Sequence, residues 1–268
     1  KSKTITHNTN GAYTAKVSAQ LATDTSAAGT FSTSASKALT TIPRVSDISV
    51  DETSVPADAA TTITVTTTKK STSFTDTIAV TLGSYSMTVT SGTAFTIPKT
   101  WINAISGTSA TATATVTTKS GETEIGTKSV NFTVTVPSTV VPTVSKITAA
   151  EAVTSVGTAF GCGIFVSTLS KLNVSVTSAG IYGSTIAAAD IKTTFDGVAY
   201  TGSSFQTTKA ISKAGTLAIT TTVTDSRKRT STPLTKNVTV YEYFTPVISS
   251  ISCVTSGTNT VVKVTGSI

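Results

Sequence analysis

Ile42-Pro43-Arg44-Val45-Ser46-Asp47-Ile48-Ser49 is echoed by Val141-Pro142-Thr143-Val144-Ser145-Lys146-Ile147-Thr148, and again by Thr245-Pro246-Val247-Ile248-Ser249-Ser250-Ile251-Ser252. The prolines Pro43, Pro142 and Pro246 are spaced by about 100 positions, the length of one immunoglobulin-type sandwich. Each copy opens with proline, whose fixed φ and missing N–H forbid ladder pairing at that point. An apolar/polar alternation of period two follows, the pattern of a half-buried strand. Proline marks a joint, and the alternation starts a module.

The module ends agree. Val116-Thr117-Thr118-Lys119-Ser120-Gly121 and Val223-Thr224-Asp225-Ser226-Arg227-Lys228 occupy matching places, each followed by a strand-like run into the next proline joint. Each pair reads as a closing hairpin. The joints are short and stiffened by proline, so neighbouring modules are expected to be held in line as a rod. The expected organisation is the C-terminal part of a preceding β domain over 1–42, immunoglobulin-like domains over 43–138 and 139–244, and the first strands of a further one over 245–268. The fold class is therefore all-β: tandem immunoglobulin-like β-sandwiches with partial β domains at both ends.

Within the first full module, residues 61–68 alternate strictly, and residues 74–92 read as a hairpin turning at Gly83-Ser84, where glycine supplies the φ > 0 of a tight turn. Around Pro98 the alternation breaks. A crossover with one helical turn is expected there, placing Trp101 and Ile105 on the core. In the second module Asp196-Gly197 marks a turn, while 185–191 fits either a strand or a brief helix. Asn10-Gly11 is a further hairpin signal near the N-terminus.

Composition supports an all-β reading. Of 268 residues 38% are hydrophobic and only 12% charged; Thr and Val are abundant while the strong helix formers Leu, Glu, Gln and Met are scarce. The net charge of +7 is scattered along the chain. Two basic clusters stand out, Lys69-Lys70 and Arg227-Lys228-Arg229, both at expected turns. They read first as solvated loop charges, with Arg227, Lys228 and Arg229 as the candidate surface contact. Neither has the interleaved aromatics of a nucleic-acid groove, so no nucleic-acid partner is expected. No apolar stretch is long enough to span a bilayer, and no membrane insertion is expected. Cys162 and Cys253 fall in different modules and are expected as buried free thiols.

Chemistry that would imply catalysis is missing. The single histidine, His7, lies beside the Asn10-Gly11 turn with no triad pattern around it. One His and two distant Cys do not make a zinc site. Glu122 and Glu124 read as exposed turn charges rather than a glycosidase pair. Asp190, Asp196 and Asp225 read as turn formers before calcium ligands. Neither an enzyme, nor a cofactor, nor a metal site is expected.

An ordered set of strings resembles the siphovirus tail structural proteins of Gram-positive hosts. The set comprises His7-Asn8 with Asn10-Gly11, residues 39–44, Phe74-Thr75 with Thr77-Ile78, Thr96-Ile97-Pro98 with Trp101, residues 182–186, and Val223-Thr224-Asp225-Ser226-Arg227 with Arg229. It spans nearly the whole chain. Lys228 departs from the family pattern, which favours glycine there. The resemblance implies a tail-tip, fibre or spike component of the virion tail whose modules serve as spacers or host cell-surface adhesins. The implied partners are other phage tail proteins, further copies of the chain and host cell-wall polysaccharide. Two other readings use the same sandwiches, a bacterial cell-surface adhesin stalk and the accessory modules of a polysaccharide-active enzyme.

Overall fold

Alternation along the strands decides which side chains meet. The strand Ser109–Ser120 buries Ala112, Ala114, Val116 and Thr118 and turns Thr113, Thr115 and Thr117 outward. A period of two places one row in a core and the other in water. The computed structural model describes residues 13–20, 32–39, 43–161 and 163–267. They fall into two compact units, Lys1–Pro137 and Ser138–Ile268.

The first unit opens with an antiparallel pair, β1 (Tyr13–Gln20) and β2 (Ser32–Leu39). Its sandwich is built from β3 (Asp47–Val50), β4 (Ser54–Pro56), β5 (Thr62–Thr68), β6 (Phe74–Leu82), β7 (Tyr85–Val89), β8 (Ala94–Thr96), β9 (Ser109–Ser120) and β10 (Thr123–Thr135). One sheet has the order β3-β5-β8 and the other β4-β10-β9-β6-β7. All pairs are antiparallel except β4 with β10.

The second unit repeats this plan strand for strand. Its elements are β11 (Thr143–Glu151), β12 (Phe165–Val166), β13 (Leu172–Ala179), β14 (Ile191–Phe195), β15 (Val198–Thr201), β16 (Ser204–Gln206), β17 (Gly215–Val223) and β18 (Leu234–Tyr241). The sheets run β11-β13-β16 and β12-β18-β17-β14-β15, and β12 lies parallel to β18. The antiparallel pair β19 (Val247–Ser256) and β20 (Asn259–Ser267) follows. The architecture is all-β and immunoglobulin-like, as the proline-led repeat predicts.

The local signals that fall on described residues are met. Leu82 pairs with Tyr85 across Gly83-Ser84, with Gly83 at φ +56°. Phe195 pairs with Val198 across Asp196-Gly197, both of positive φ, the geometry of the turn whose twist matches paired strands. A 3-10 turn, Lys99–Ala104, follows Pro98 and buries Trp101, and Ile105 beyond it is buried too. In 185–191 the answer is both: a 3-10 turn over Ala188–Asp190, then β14.

Each sandwich has its own core. Ile63, Val65, Ile78, Val80, Trp101 and Phe132 are among the buried side chains of the first. In the second, Ile147, Leu172, Val174, Phe195, Ile219 and Val238 form one cluster. Two inward-facing hydroxyls there, Thr193 and Thr221, bond each other at 2.8 Å and so satisfy the requirement that buried polar groups be paired.

One expectation needs correction. Cys253, expected as a buried thiol, is exposed. A short helix, α1 (Thr154–Phe160), stands between β11 and β12; it has no side-chain cap, and Val156 alone is buried. His7, Asn10-Gly11 and Cys162 lie outside the described residues. No helix of the described residues is long and apolar enough to cross a membrane.

Candidate functional site: the Asp225–Arg229 turn

After β17 the chain turns through Asp225-Ser226-Arg227-Lys228-Arg229, and the buried carboxylate of Asp225 organises that turn. Its Oδ1 accepts the N–H groups of Arg227 and Arg229, each at 3.0 Å. The backbone closes the same loop, with Asp225 N–H donating to the Arg229 carbonyl at 2.9 Å and Lys228 N–H to the Asp225 carbonyl at 2.9 Å. Aspartate suits such a turn because its short carboxylate reaches backbone donors two and four residues on.

The candidate surface contact of Arg227, Lys228 and Arg229 must be revised at its first member. Arg227 is only 3% exposed. Its guanidinium points inward, where Nη1 donates to the carbonyl of Ile181 at 2.8 Å and Nη2 to that of Tyr182. A planar fork of donors can hold two successive carbonyls at once, which explains arginine rather than lysine here. Ser226 adds a second tie, its N–H donating to the Thr185 carbonyl at 2.8 Å and its Oγ accepting the Thr185 N–H at 3.3 Å. The two strings 182–186 and 223–229, separate in sequence, thus form one clamp between two loops.

The clamped loop is tightly folded. Ser184 Oγ accepts the Ile181 N–H at 3.0 Å, and Tyr182 and Gly183 have φ of +49° and +76°. A Cβ on Gly180 would lie 2.0 Å from the Ser184 carbonyl oxygen, so only glycine fits. Beside it lies an open hollow of about 610 Å³ lined by Thr177, Ser184, Thr185, Ile186, Ile191 and Ser203. Of the basic cluster, Lys228 is exposed and Arg229 half-buried.

Other charged groups are also engaged internally. Asp47 at the start of β3 binds the ammonium groups of Lys70 and Lys128. Hydrogen bonds from Lys128 and Lys70 hold its carboxyl down at about 2. Backbone N–H donors lower Asp51, through Thr64, and Asp58, through Thr61 and Ala60. Asp196 accepts from Ser212 N–H and Oγ at 3.1 and 2.8 Å. In the first sandwich Thr118 takes the place that Asp225 holds in the second. Its Oγ1 donates to Asp76 Oδ1 at 2.9 Å and accepts the Ser46 N–H at 3.1 Å. Sequence reading missed these partners, most of which lie far apart in the chain. Among the described residues no three His, Cys, Asp or Glu side chains are grouped as a metal site would require.

The sequence of residues 1–267 matches the family described as "Siphovirus protein of unknown function (DUF859)". The chain belongs to that siphovirus family. No curated protein matches it. Among solved structures, the siphovirus protein is similar to fibronectin(III)-like modules of Clostridium thermocellum CbhA, at 16% identity and TM-score 0.29 over 73% of this chain and 95% of that one. It is likewise similar to extracellular cadherin domains 3-6 of protocadherin gamma B2, at 13% identity and TM-score 0.33, covering 80% of this chain and 57% of that one. The fold class rests on the strand order described above.

Proposed function

We propose that this siphovirus protein is a non-catalytic structural component of the phage tail, in the tail tip, a fibre or a spike. Its sandwiches act there as spacers that also contact the host surface. The observation that carries this reading is the repetition of one strand plan in two successive sandwiches of a siphovirus family member. In the Asp225 turn Asp225 Oδ1, Ser226 and Arg227 are committed to holding backbone. Such committed groups build a rigid scaffold rather than a reactive centre, which requires a nucleophile or base free to exchange protons.

Contact with the host is assigned to the exposed member of the turn, Lys228. Positive charge on a loop at the end of a sandwich suits anionic cell-wall polymers, with attraction that weakens as salt rises. Open sheet edges in both sandwiches are suited to covering by other tail proteins or by further copies of the chain.

The test is fractionation of purified virions into heads and tails, followed by mass spectrometry for peptides of this chain. Recovery with the tails supports the proposal; recovery only outside virions, on the bacterial surface, overturns it. For the host contact, Lys228→Glu is expected to slow adsorption to host cells, and unchanged adsorption removes that part of the reading.

A further inference from the structure

The most exposed apolar surface among the described residues is on the β19–β20 pair. Directly paired residues of neighbouring strands share a face of the sheet. Ile248 pairs with Gly266, Ile251 with Val264 and Cys253 with Val262. Ile248, Ile251, Val262 and Val264 therefore stand together with the free thiol of Cys253, and they are 64%, 63%, 57% and 55% exposed. Ser250, Ser252, Lys263 and Thr265 lie on the other face, with Val254 and Val261.

The same pattern is buried in the second sandwich. There Val144 pairs with Ser178, Ile147 with Val176 and Ala149 with Val174. Both pairs carry a register shift at the same point of the proline-led repeat, between Val144 and Lys146 and between Ile248 and Ser250. The extra residue is serine each time. Ser145 Oγ donates to the Thr177 carbonyl at 3.3 Å, and Ser249 Oγ to the Thr265 carbonyl at 3.0 Å. Position by position, Ile248, Ile251, Cys253, Val262 and Val264 replace Val144, Ile147, Ala149, Val174 and Val176. In the second sandwich Ile147 and Val174 share a core with Phe195, Ile219 and Val238 from the opposite sheet.

We propose that β19 and β20 are the opening strand pair of a third sandwich. Their apolar face is the inner face of its core, covered by an opposing sheet that the same polypeptide supplies after the hairpin, as it does after β3–β5 and β11–β13. A bulge, a register and a hydroxyl bond that coincide with an interior pair identify the face as interior. Cysteine among β-branched aliphatics fits this, since free cysteine is among the most buried residue types. The small area of the face decides the source of the cover. Five such side chains on a two-stranded ribbon fall short of the about 800 Å² per partner typical of stable association between separate chains. A sheet tethered through a short loop avoids the translational cost of association.

The experiment reads Cys253 by thiol alkylation in a Cys162→Ser background, comparing the 268-residue chain with the polypeptide as its source makes it, and sediments both. The expected result is fast alkylation in the 268-residue chain, which stays monomeric at low concentration, and alkylation at least about 100-fold slower in the natural polypeptide, where reaction must await local opening of a core. Ile251→Asp with Val264→Asp is expected to leave unfolding of the 268-residue chain unchanged and to restore fast alkylation in the natural polypeptide. Equal, fast alkylation in both overturns the proposal, because the face is then open. Protection in the 268-residue chain together with dimerisation also overturns it, because a second copy is then the cover. Protection that survives the double substitution overturns it as well, since something other than the core face shields the thiol.

Discussion

The side chain of Arg227 is bonded to the backbone oxygen of Tyr182, and through this contact and its neighbour at Ile181 a buried cation holds a loop in place. Arg227→Ala leaves two part-buried carbonyls without their donor and removes packing. A loss of about 2 kcal/mol is expected. Arg227→Lys keeps the charge but not the fork and is expected to recover only part of that loss. Chemical denaturation followed by far-UV circular dichroism checks both. An alanine variant as stable as the parent contradicts the clamp.

Lys228 sits at φ +63°, a left-handed conformation that costs a residue with a Cβ but not glycine. Lys228→Gly is expected to stabilise the second sandwich by about 0.5–1 kcal/mol. The gain is limited because glycine also gives the unfolded chain more freedom to lose. A drop in stability on this substitution shows that the Lys228 side chain makes a contact that matters.

Acid should weaken the first sandwich through Asp47. Its folded-state pKa, about 2, lies below the ordinary 3.8, because ammonium groups of Lys128 and Lys70 donate to it. A depressed pKa contributes stability that is present above the unfolded value and is lost as pH falls through the folded one. The window is therefore pH 4 down to 2. Asp47→Asn is expected to flatten part of the stability slope in that window, the rest persisting through Asp51 and Asp58, which shift the same way. The effect shrinks at 1 M salt because the ion pairs are solvent-exposed. The single tryptophan lies in this sandwich, so its fluorescence follows the unfolding.

Trp101 is buried in the crossover and stacks with Tyr85, ring centroids 6.0 Å apart. Trp101→Ala opens a cavity and is expected to cost about 3–5 kcal/mol, a large share of the stability of a domain this size. Hydrogen exchange along β7, which carries Tyr85, and along its paired strand β6 should accelerate by the corresponding factor. Unchanged protection there means that the crossover does not support the core.

The strand plan was legible because its signals are local. Proline at each joint, Gly83 at a tight turn, Asp196-Gly197 between paired strands and Pro98 ahead of Trp101 each act within a few residues. The clamp was not legible for the opposite reason. Arg227 is bonded to carbonyl groups, which every residue carries, so nothing in residues 181–182 announces the partner. A run of three basic residues therefore read as solvated charge, while one member is interior. Asp47 likewise meets Lys70 and Lys128 across 23 and 81 positions. The helix α1 escaped because a short Thr-, Ser- and Gly-bearing segment with one buried residue has no apolar stripe to read.

Gold-labelled antibody against residues 43–243, imaged on intact virions in negative stain, tests the structural role most directly. The account predicts label at the tail tip, fibres or spike. Virions without label, with the gold on bacterial cells instead, would contradict it and make the chain a cell-surface stalk.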